Sequence, residues 1–315
     1  MRAIGGYFEL ELPRYEEYHK DAIRLNTGRN CLEYILRTKQ YSKVYLPCYT
    51  CQVQLEPFIK LHIPYDFYSV DLSFEMTEDI SLQENEALLY TNFYGLKQSY
   101  TERLAIRYGK HLIVDNTQAF FAKPIKGIDT FYSCRKFFGV PDGAYLYTDC
   151  RLGIEIKQDL SYDRMTFLNK RIDLSPEAGY ADFQHLTKSL VGQPIRIMSQ
   201  LTHRLMQGID YACIASRRRA NYRLLHDALE KDNRLKITLE DDAVPMVYPY
   251  LTFKEGLRER LIENKIYIAR YWPNVLEWSP QGSIDHILAS QLLPIPIDQR
   301  YGEEEMKRII QTIEK

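Results

Sequence analysis

Long apolar runs are missing from this chain. Nowhere in its 315 residues do apolar side chains continue for the ~18 positions needed to cross a bilayer, which argues against a helical membrane protein. Net charge is nearly absent as well: 41 Lys and Arg stand against 42 Asp and Glu, leaving −1. No overall field draws in a polyanion, and nucleic acid is not expected as a partner. Cysteine is scarce. Cys31, Cys48, Cys51, Cys134, Cys150 and Cys213 are too few and too scattered for a disulfide scaffold, so reduced thiols are expected. With 15 glycines and 14 prolines the chain also falls far below the content of low-complexity or collagen-like sequence. The stretch Met1–Pro13 carries acids where a secretory leader needs an uninterrupted apolar core, and a cytoplasmic location is expected.

What the chain does have is 45% hydrophobic residues, ample for one large or two modest domains. Between Lys43 and Asp149 short apolar runs alternate with longer amphipathic ones, the pattern of a mostly parallel sheet covered by helices. The spacing predicts strands at Lys43–Leu46, Tyr65–Val70, Ala87–Thr91, His111–Asp115, Thr130–Ser133 and Gly143–Thr148. Helical periods open at Gly28-Arg29 and cover Val53–Leu61 and Thr101–Tyr108. Arg151 to Gln193 is more polar, without a clean period, and reads as a connecting segment broken at Ser175-Pro176 and Gln193-Pro194. One long helical pattern follows from Ile195 to Leu229. Beyond it come strand-like Met246–Phe253, a helix over Glu255–Asn264, a strand at Ile266–Ile268, strand-like Gln291–Ile297 and a last helix over Glu303–Ile313. The expectation is an α/β protein, a three-layer α/β/α arrangement on a mostly parallel sheet, with a smaller α+β C-terminal domain. Its divisions would be a large domain over 1–195, a linking helix over 196–230 and the small domain over 231–315.

Three features carry candidate chemistry. The first is Thr130-Phe-Tyr-Ser-Cys-Arg-Lys-Phe-Phe-Gly-Val-Pro-Asp-Gly-Ala144, which sets the Ser133 hydroxyl and the Lys136 amine three residues apart at a strand end. A neighbouring Arg135 and the apolar Phe137-Phe138 are the surroundings that favour an amine nucleophile, against the plainer reading of a surface-loop lysine. The second is His111-Leu-Ile-Val-Asp-Asn-Thr-Gln118, where Asp115 ends a buried strand at the edge where open α/β sheets bind ligands. A carboxylate there can keep a pyridine nitrogen protonated, or it can simply cap a helix. The third is Asn26-Thr-Gly-Arg-Asn-Cys-Leu32, a glycine at a helix N-terminus, suited to a phosphate or to nothing more than a helix start.

The chain order of phosphate turn, strand-end Asp and Ser-x-x-Lys resembles the fold-type I enzymes that use pyridoxal 5'-phosphate (PLP), nearest the DegT/DnrJ/EryC1/StrS sugar aminotransferases. The resemblance runs from Gly28 to the C-terminus in motif order and element order. It implies that Lys136 is the Schiff-base lysine, that Asp115 pairs with the pyridinium nitrogen, and that Gln118 contacts the phenolic oxygen. It gives the phosphate to Ser133 and the backbone of Gly28 and Arg29. Asn92-Phe-Tyr-Gly95 matches the strand-end loop ahead of the Asp strand, and Asp142-Gly143-Ala144 the acid and small-residue pair after the lysine. In Leu46-Pro-Cys-Tyr-Thr-Cys51 the cofactor-stacking position falls on Cys51, with Tyr49 the nearest aromatic. Three departures accompany the match. Ser133 and Lys136 stand closer than in most relatives, the chain is shorter, and the asparagine that precedes the Pro194–Ser199 motif in relatives is missing.

The resemblance implies an aminotransferase that moves an amino group from an amino acid such as glutamate to a keto group, with a keto sugar or sugar nucleotide as the candidate acceptor, in a homodimer with small-molecule substrates. Alternatives keep the cofactor but change the reaction to a lyase, racemase or dehydratase, or drop the cofactor for a binding or regulatory role. A histidine in place of the lysine marks the sugar dehydratases of the resembling group. Arg270 and Arg300, each beside an aromatic in the C-terminal part, are candidates for holding a substrate carboxylate. No metal site is expected: Cys48-Tyr-Thr-Cys51 has no second pair at a ligand interval, and the seven histidines form no HExxH motif. The basic run Arg217-Arg-Arg219 reads as a solvated helix face.

Overall fold

The computed structural model describes residues 4–315; the first three residues of the expected large domain lie outside them. The main sheet has seven strands: β1 (Ile23–Leu25), β2 (Lys43–Pro47), β3 (Tyr65–Tyr68), β4 (Glu86–Thr91), β5 (Leu112–Asn116), β6 (Asp129–Ser133) and β7 (Ala144–Tyr147), in the order β1-β7-β6-β5-β4-β2-β3. The pairs from β3 through β6 are parallel, while β7 runs antiparallel between β6 and β1. The carboxyl ends of β2, β4, β5 and β6 therefore open on one edge, where such sheets bind ligands.

Alternation along the strands builds the two cores. Leu88 and Tyr90 of β4, Leu112 and Val114 of β5 and Tyr132 of β6 enter one cluster. Their neighbours Ala87, Leu89, Ile113 and Phe131 enter the other, against Cys31, Leu32, Ile35 and Leu36 of α1 (Gly28–Lys39). Successive side chains point to opposite faces, so a run apolar at every position must be covered twice, and the three-layer expectation holds. Burying each large side chain of α1 contributes roughly 1.5–3 kcal/mol. The helix starts at Thr27, whose hydroxyl accepts the Asn30 N–H at 3.2 Å, and stops at Gln40, in the left-handed conformation at φ 53°.

The remaining elements refine the sequence reading. Val53–Leu61 divides into a 3-10 turn over Gln52–Leu55 and α2 (Glu56–Leu61), and α3 is Gln98–Tyr108. The segment expected to connect without structure holds α4 (Thr166–Asp173) and α5 (Pro176–Ser189). There Ser175-Pro176 starts a helix instead of breaking one, because Ser175 caps it and proline suits the first helical position. The long pattern of Ile195–Leu229 is two helices, α6 (Gln200–Gln207) and α7 (Tyr211–Leu229). Gly208 ends the first, and Asp210 restarts the chain by accepting the Cys213 N–H at 2.9 Å.

In the C-terminal part α8 (Leu257–Glu263), α9 (Val275–Trp278), α10 (Ile284–Gln291) and α11 (Glu303–Glu314) surround a two-stranded antiparallel pair, β8 (Val247–Tyr250) with β9 (Leu293–Pro296). Ile266–Ile268, expected as a strand, is not one. Its first N–H, that of Ile266, is taken by Leu261 O at 2.8 Å in the close of α8, after Lys265 in the left-handed conformation at φ 56°. Among the described residues no helix is long and apolar enough to cross a membrane.

Candidate active site

Asp115 ends β5 and is buried, with a donor on each oxygen. The Thr117 N–H donates to Oδ1 at 2.7 Å and the Gln54 amide to Oδ2 at 2.7 Å. The Thr50 hydroxyl donates to Gln54 Oε1 at 2.5 Å, which leaves the NH2 end of that amide facing the carboxylate. Burial pushes the Asp115 carboxyl up, and the charge of Lys136 with the bonds from Thr117 and Gln54 pulls it back down. Thr50, Gln54 and Thr117 were not among the sequence candidates. The periodicity of a turn carries no mark of such side chains: Gln54 acts on a carboxylate 61 positions away, and Thr117 on an amine 19 positions away.

Lys136 leaves the turn after β6 with its side chain exposed and its amine on Thr117 Oγ1 at 2.8 Å. The turn closes through the N–H groups of Phe137 and Phe138 on Cys134 O, at 3.1 and 3.0 Å. Phe137 and Phe138 go into the core, which aims the preceding lysine outward. The turn is also pinned from behind. Gln299 donates to Phe137 O at 2.8 Å, and the Arg218 guanidinium lies 4.6 Å from the Phe137 ring centroid while donating to Met246 O at 2.9 Å. Arg218 is thus buried, not part of a solvated face as the basic run suggested; helix α7 turns it inward. At the end of the loop Asp142 accepts the Ser199 N–H at 2.9 Å, the Ser199 hydroxyl at 2.8 Å and the Thr202 hydroxyl, tying it to α6.

The start of α1 lies against this pair. A Cβ on Gly28 would stand 3.0 Å from Thr117 Cγ2, so only glycine lets the helix come this close. Thr27 satisfies Asn30 and Cys31, while the N–H groups of Gly28 and Arg29 have no partner among the described residues. Nor does the half-buried Ser133 hydroxyl. The Arg29 side chain pairs with Glu56 at 2.5 Å. Behind the helix, Asn26 and Asn30 both donate to Pro194 O, at 3.1 and 2.8 Å, and Gly143 N–H reaches Asn26 O at 2.7 Å.

Other sequence candidates fall elsewhere. Tyr49 is fully buried among Phe74, Phe93 and Trp272, its hydroxyl shared with Tyr94 at 2.9 Å and donated to Tyr271 O at 3.1 Å. It cannot stack on a ligand; of the two candidates in that turn only Cys51 is partly open. Asn92 is buried and spent on its own loop, accepting Lys97 N–H at 3.0 Å. Gln118 is buried with its oxygen on Tyr94 N–H at 3.0 Å, and its NH2 group has no protein partner among the described residues. Arg300 is held by both oxygens of Asp298, at 2.6 and 2.9 Å, which removes its fork from a substrate. Arg270 is exposed on a cavity of about 290 Å³ shared with Arg258 and lined by none of the residues around Lys136.

No family model matches the sequence, and no curated protein does. Solved structures do match the fold. The chain is similar to DesV of S. venezuelae, solved in complex with a ketimine intermediate, at 18% identity and a TM-score of 0.64, over 93% of this chain and 83% of that one. It is similar to a DegT DnrJ EryC1 StrS aminotransferase from Brucella abortus at 16% identity and TM-score 0.59, covering 93% and 85%. It is also similar to the E. coli GDP-4-keto-6-deoxy-D-mannose-3-dehydratase with bound hydrated PLP, at 14% and 0.61, covering 93% and 87%. The protein shares the fold of these structures.

Proposed function

We propose that the protein is a PLP-dependent aminotransferase acting on a keto group, with a sugar as the acceptor class. The observation that carries this reading is the exposed Lys136 amine, 2.8 Å from Thr117, beside a doubly bonded buried Asp115 and facing the start of α1. The unpartnered N–H groups of Gly28 and Arg29 and the free Ser133 hydroxyl fit a phosphate, as helix N-termini do. Asp115 fits a protonated ring nitrogen, since two donors hold its carboxylate in place. When bound, PLP supplies an electron sink next to an amino acid's Cα.

The chain's own residues do the rest. Thr117 Oγ1 holds the Lys136 amine in position, and that amine takes up and returns the proton moved during transfer. The Phe137 and Phe138 side chains keep the loop dry from beneath. The dehydratase among the similar folds offers the competing reaction. Lys136 favours transfer, because in the resembling group a histidine at that position marks the dehydratases.

A homodimer belongs to this reading, supported by the exposed apolar stretch Ile4, Tyr7, Phe8 and Leu10, and light scattering of the purified protein measures it. The central test is reduction of the protein with borohydride in the presence of PLP, followed by peptide mapping. A pyridoxyl adduct on Lys136 is expected; no adduct with excess PLP refutes the cofactor reading. Glutamate should then convert the bound cofactor to its amine form, and no conversion with any common amino donor refutes transamination.

A further inference from the structure

Resting on the PLP reading, we propose that Arg135 supplies, from within the same chain, the positive charge that neutralises the cofactor's phosphate. Arg135 stands between Ser133 and Lys136 in the turn after β6. It is largely enclosed, yet its guanidinium forms no hydrogen bond or ion pair among the described residues; its aromatic contact is the Phe183 ring of α5, 5.9 Å away. Burial drives the group down to about 10, and the like charge of Arg29 pushes in the same direction. Asp142, the one acid that acts on it favourably, is already committed to Ser199 and Thr202.

A guanidinium with five donors is not left half-buried and unpaired without a cost. Here the missing partner has a place. The free N–H groups of Gly28 and Arg29 and the free Ser133 hydroxyl belong to the same corner, where α1 meets the end of β6. Glu56 neutralises Arg29 and leaves Arg135 as the uncompensated cation. Two backbone donors, a hydroxyl and a planar fork match the several oxygens of a phosphate monoester better than a single carboxylate. Arg135, between the Ser133 hydroxyl and Lys136, is therefore assigned to the phosphate site itself.

The test compares PLP with pyridoxal, which lacks the phosphate, by equilibrium dialysis against apoprotein. Wild type should bind PLP far more tightly than pyridoxal. In Arg135→Met that preference should fall about ten- to hundredfold, the worth of charge-assisted hydrogen bonds, with pyridoxal affinity unchanged. The apo form of R135M should also melt no lower than wild type, because a half-buried unpaired cation has been removed; a merely structural arginine would give the opposite. An unchanged preference in R135M, or a fall in both affinities alike, overturns the proposal. If R135M does not fold, R135K decides it: lysine keeps the charge without the fork, so the preference should drop at least about tenfold, and a wild-type preference overturns the assignment. Failure of wild-type protein to prefer PLP would instead refute the cofactor reading on which the proposal stands.

Discussion

Replacing Gln54 by leucine isolates the bond that steadies Asp115. The substitution keeps the apolar bulk and removes the donor 2.7 Å from Oδ2. A hydrogen bond to a charged group contributes about 1.5–3 kcal/mol, so the carboxyl should move further up by roughly one to two pH units at 1.36 kcal/mol each. For a chain of 315 residues the unfolding entropy is near 0.7 kcal/mol/K, and a loss of about 2 kcal/mol lowers Tm by about 3 °C. Burial already raises Asp115 above its unfolded value. The native state thus holds a proton that the unfolded chain has released, and this contribution is present at low pH and lost as pH rises through the native titration. Q54L deepens that loss. Scanning calorimetry of apoprotein should show a larger Tm penalty near pH 8 than at about pH 3, below the ordinary carboxyl value of 3.8, where the carboxyl is largely protonated folded and unfolded alike. An equal penalty at both pH values would show that Gln54 only fills space, and would refute its role on Asp115.

Other outcomes follow from the same geometry. His19 is buried with its ring on Phe120 O at 2.7 Å, and burial holds it down to about 4. Because its native value lies below its unfolded one, roughly 3 kcal/mol of stability present above pH 6.5 should disappear as pH falls to about 4; H19Q should flatten that part of a urea-denaturation pH profile. Burial also works to raise Glu17, but bonds from His203, Arg24 and Tyr145 outweigh it and hold the carboxyl at about 2. Its contribution should survive down to the ordinary glutamate range and drain away only below it, with E17Q losing that acid-side slope. In Gly28→Ala the new methyl stands 3.0 Å from Thr117 Cγ2. Overpacking costs about 1–3 kcal/mol, so Tm should fall by about 2–4 °C and PLP affinity with it; wild-type affinity in G28A would show that the close approach of α1 does not matter.

Much of the architecture can be read from the residues. Strands β4 and β5 are buried on both faces, so their apolar runs are continuous and their polar ends, Thr91 and Asp115, stand out at the carboxyl edge. Lys136 stands out for a similar reason, a charge set against two phenylalanines. What could not be read depends on contacts between distant segments. Gln54 reaches Asp115 across 61 positions and Lys136 reaches Thr117 across 19, and neither pairing leaves a local pattern. Tyr49 is an aromatic in the right turn, yet that turn lies beyond the end of β2, where no periodicity marks which side chain goes inward; Tyr49 enters the core and Cys51 is left at the opening. Arg300 fails similarly, because Asp298 two residues earlier captures its fork. The helix break at Gly208 is marked in the sequence by Gly208 and Asp210, but the amphipathic period continues across it and conceals the turn.

The anchoring of α1 has a consequence for biosynthesis. Its first turn is held from behind by Asn26 and Asn30 on Pro194 O and by Asn26 N–H on Arg196 O at 2.9 Å. Residues translated near the beginning therefore wait for residues translated some 168 positions later, an interval of roughly ten to thirty seconds at ribosomal speed. Until then the helix start lacks its Pro194 and Arg196 anchors and is held against β6 only by the apolar contacts of α1 and by Gly143 N–H on Asn26 O. A nascent chain should stay unable to capture a phosphate for that whole interval, so ligand binding during synthesis would report the arrival of Pro194 and not the completion of the sheet strands before it.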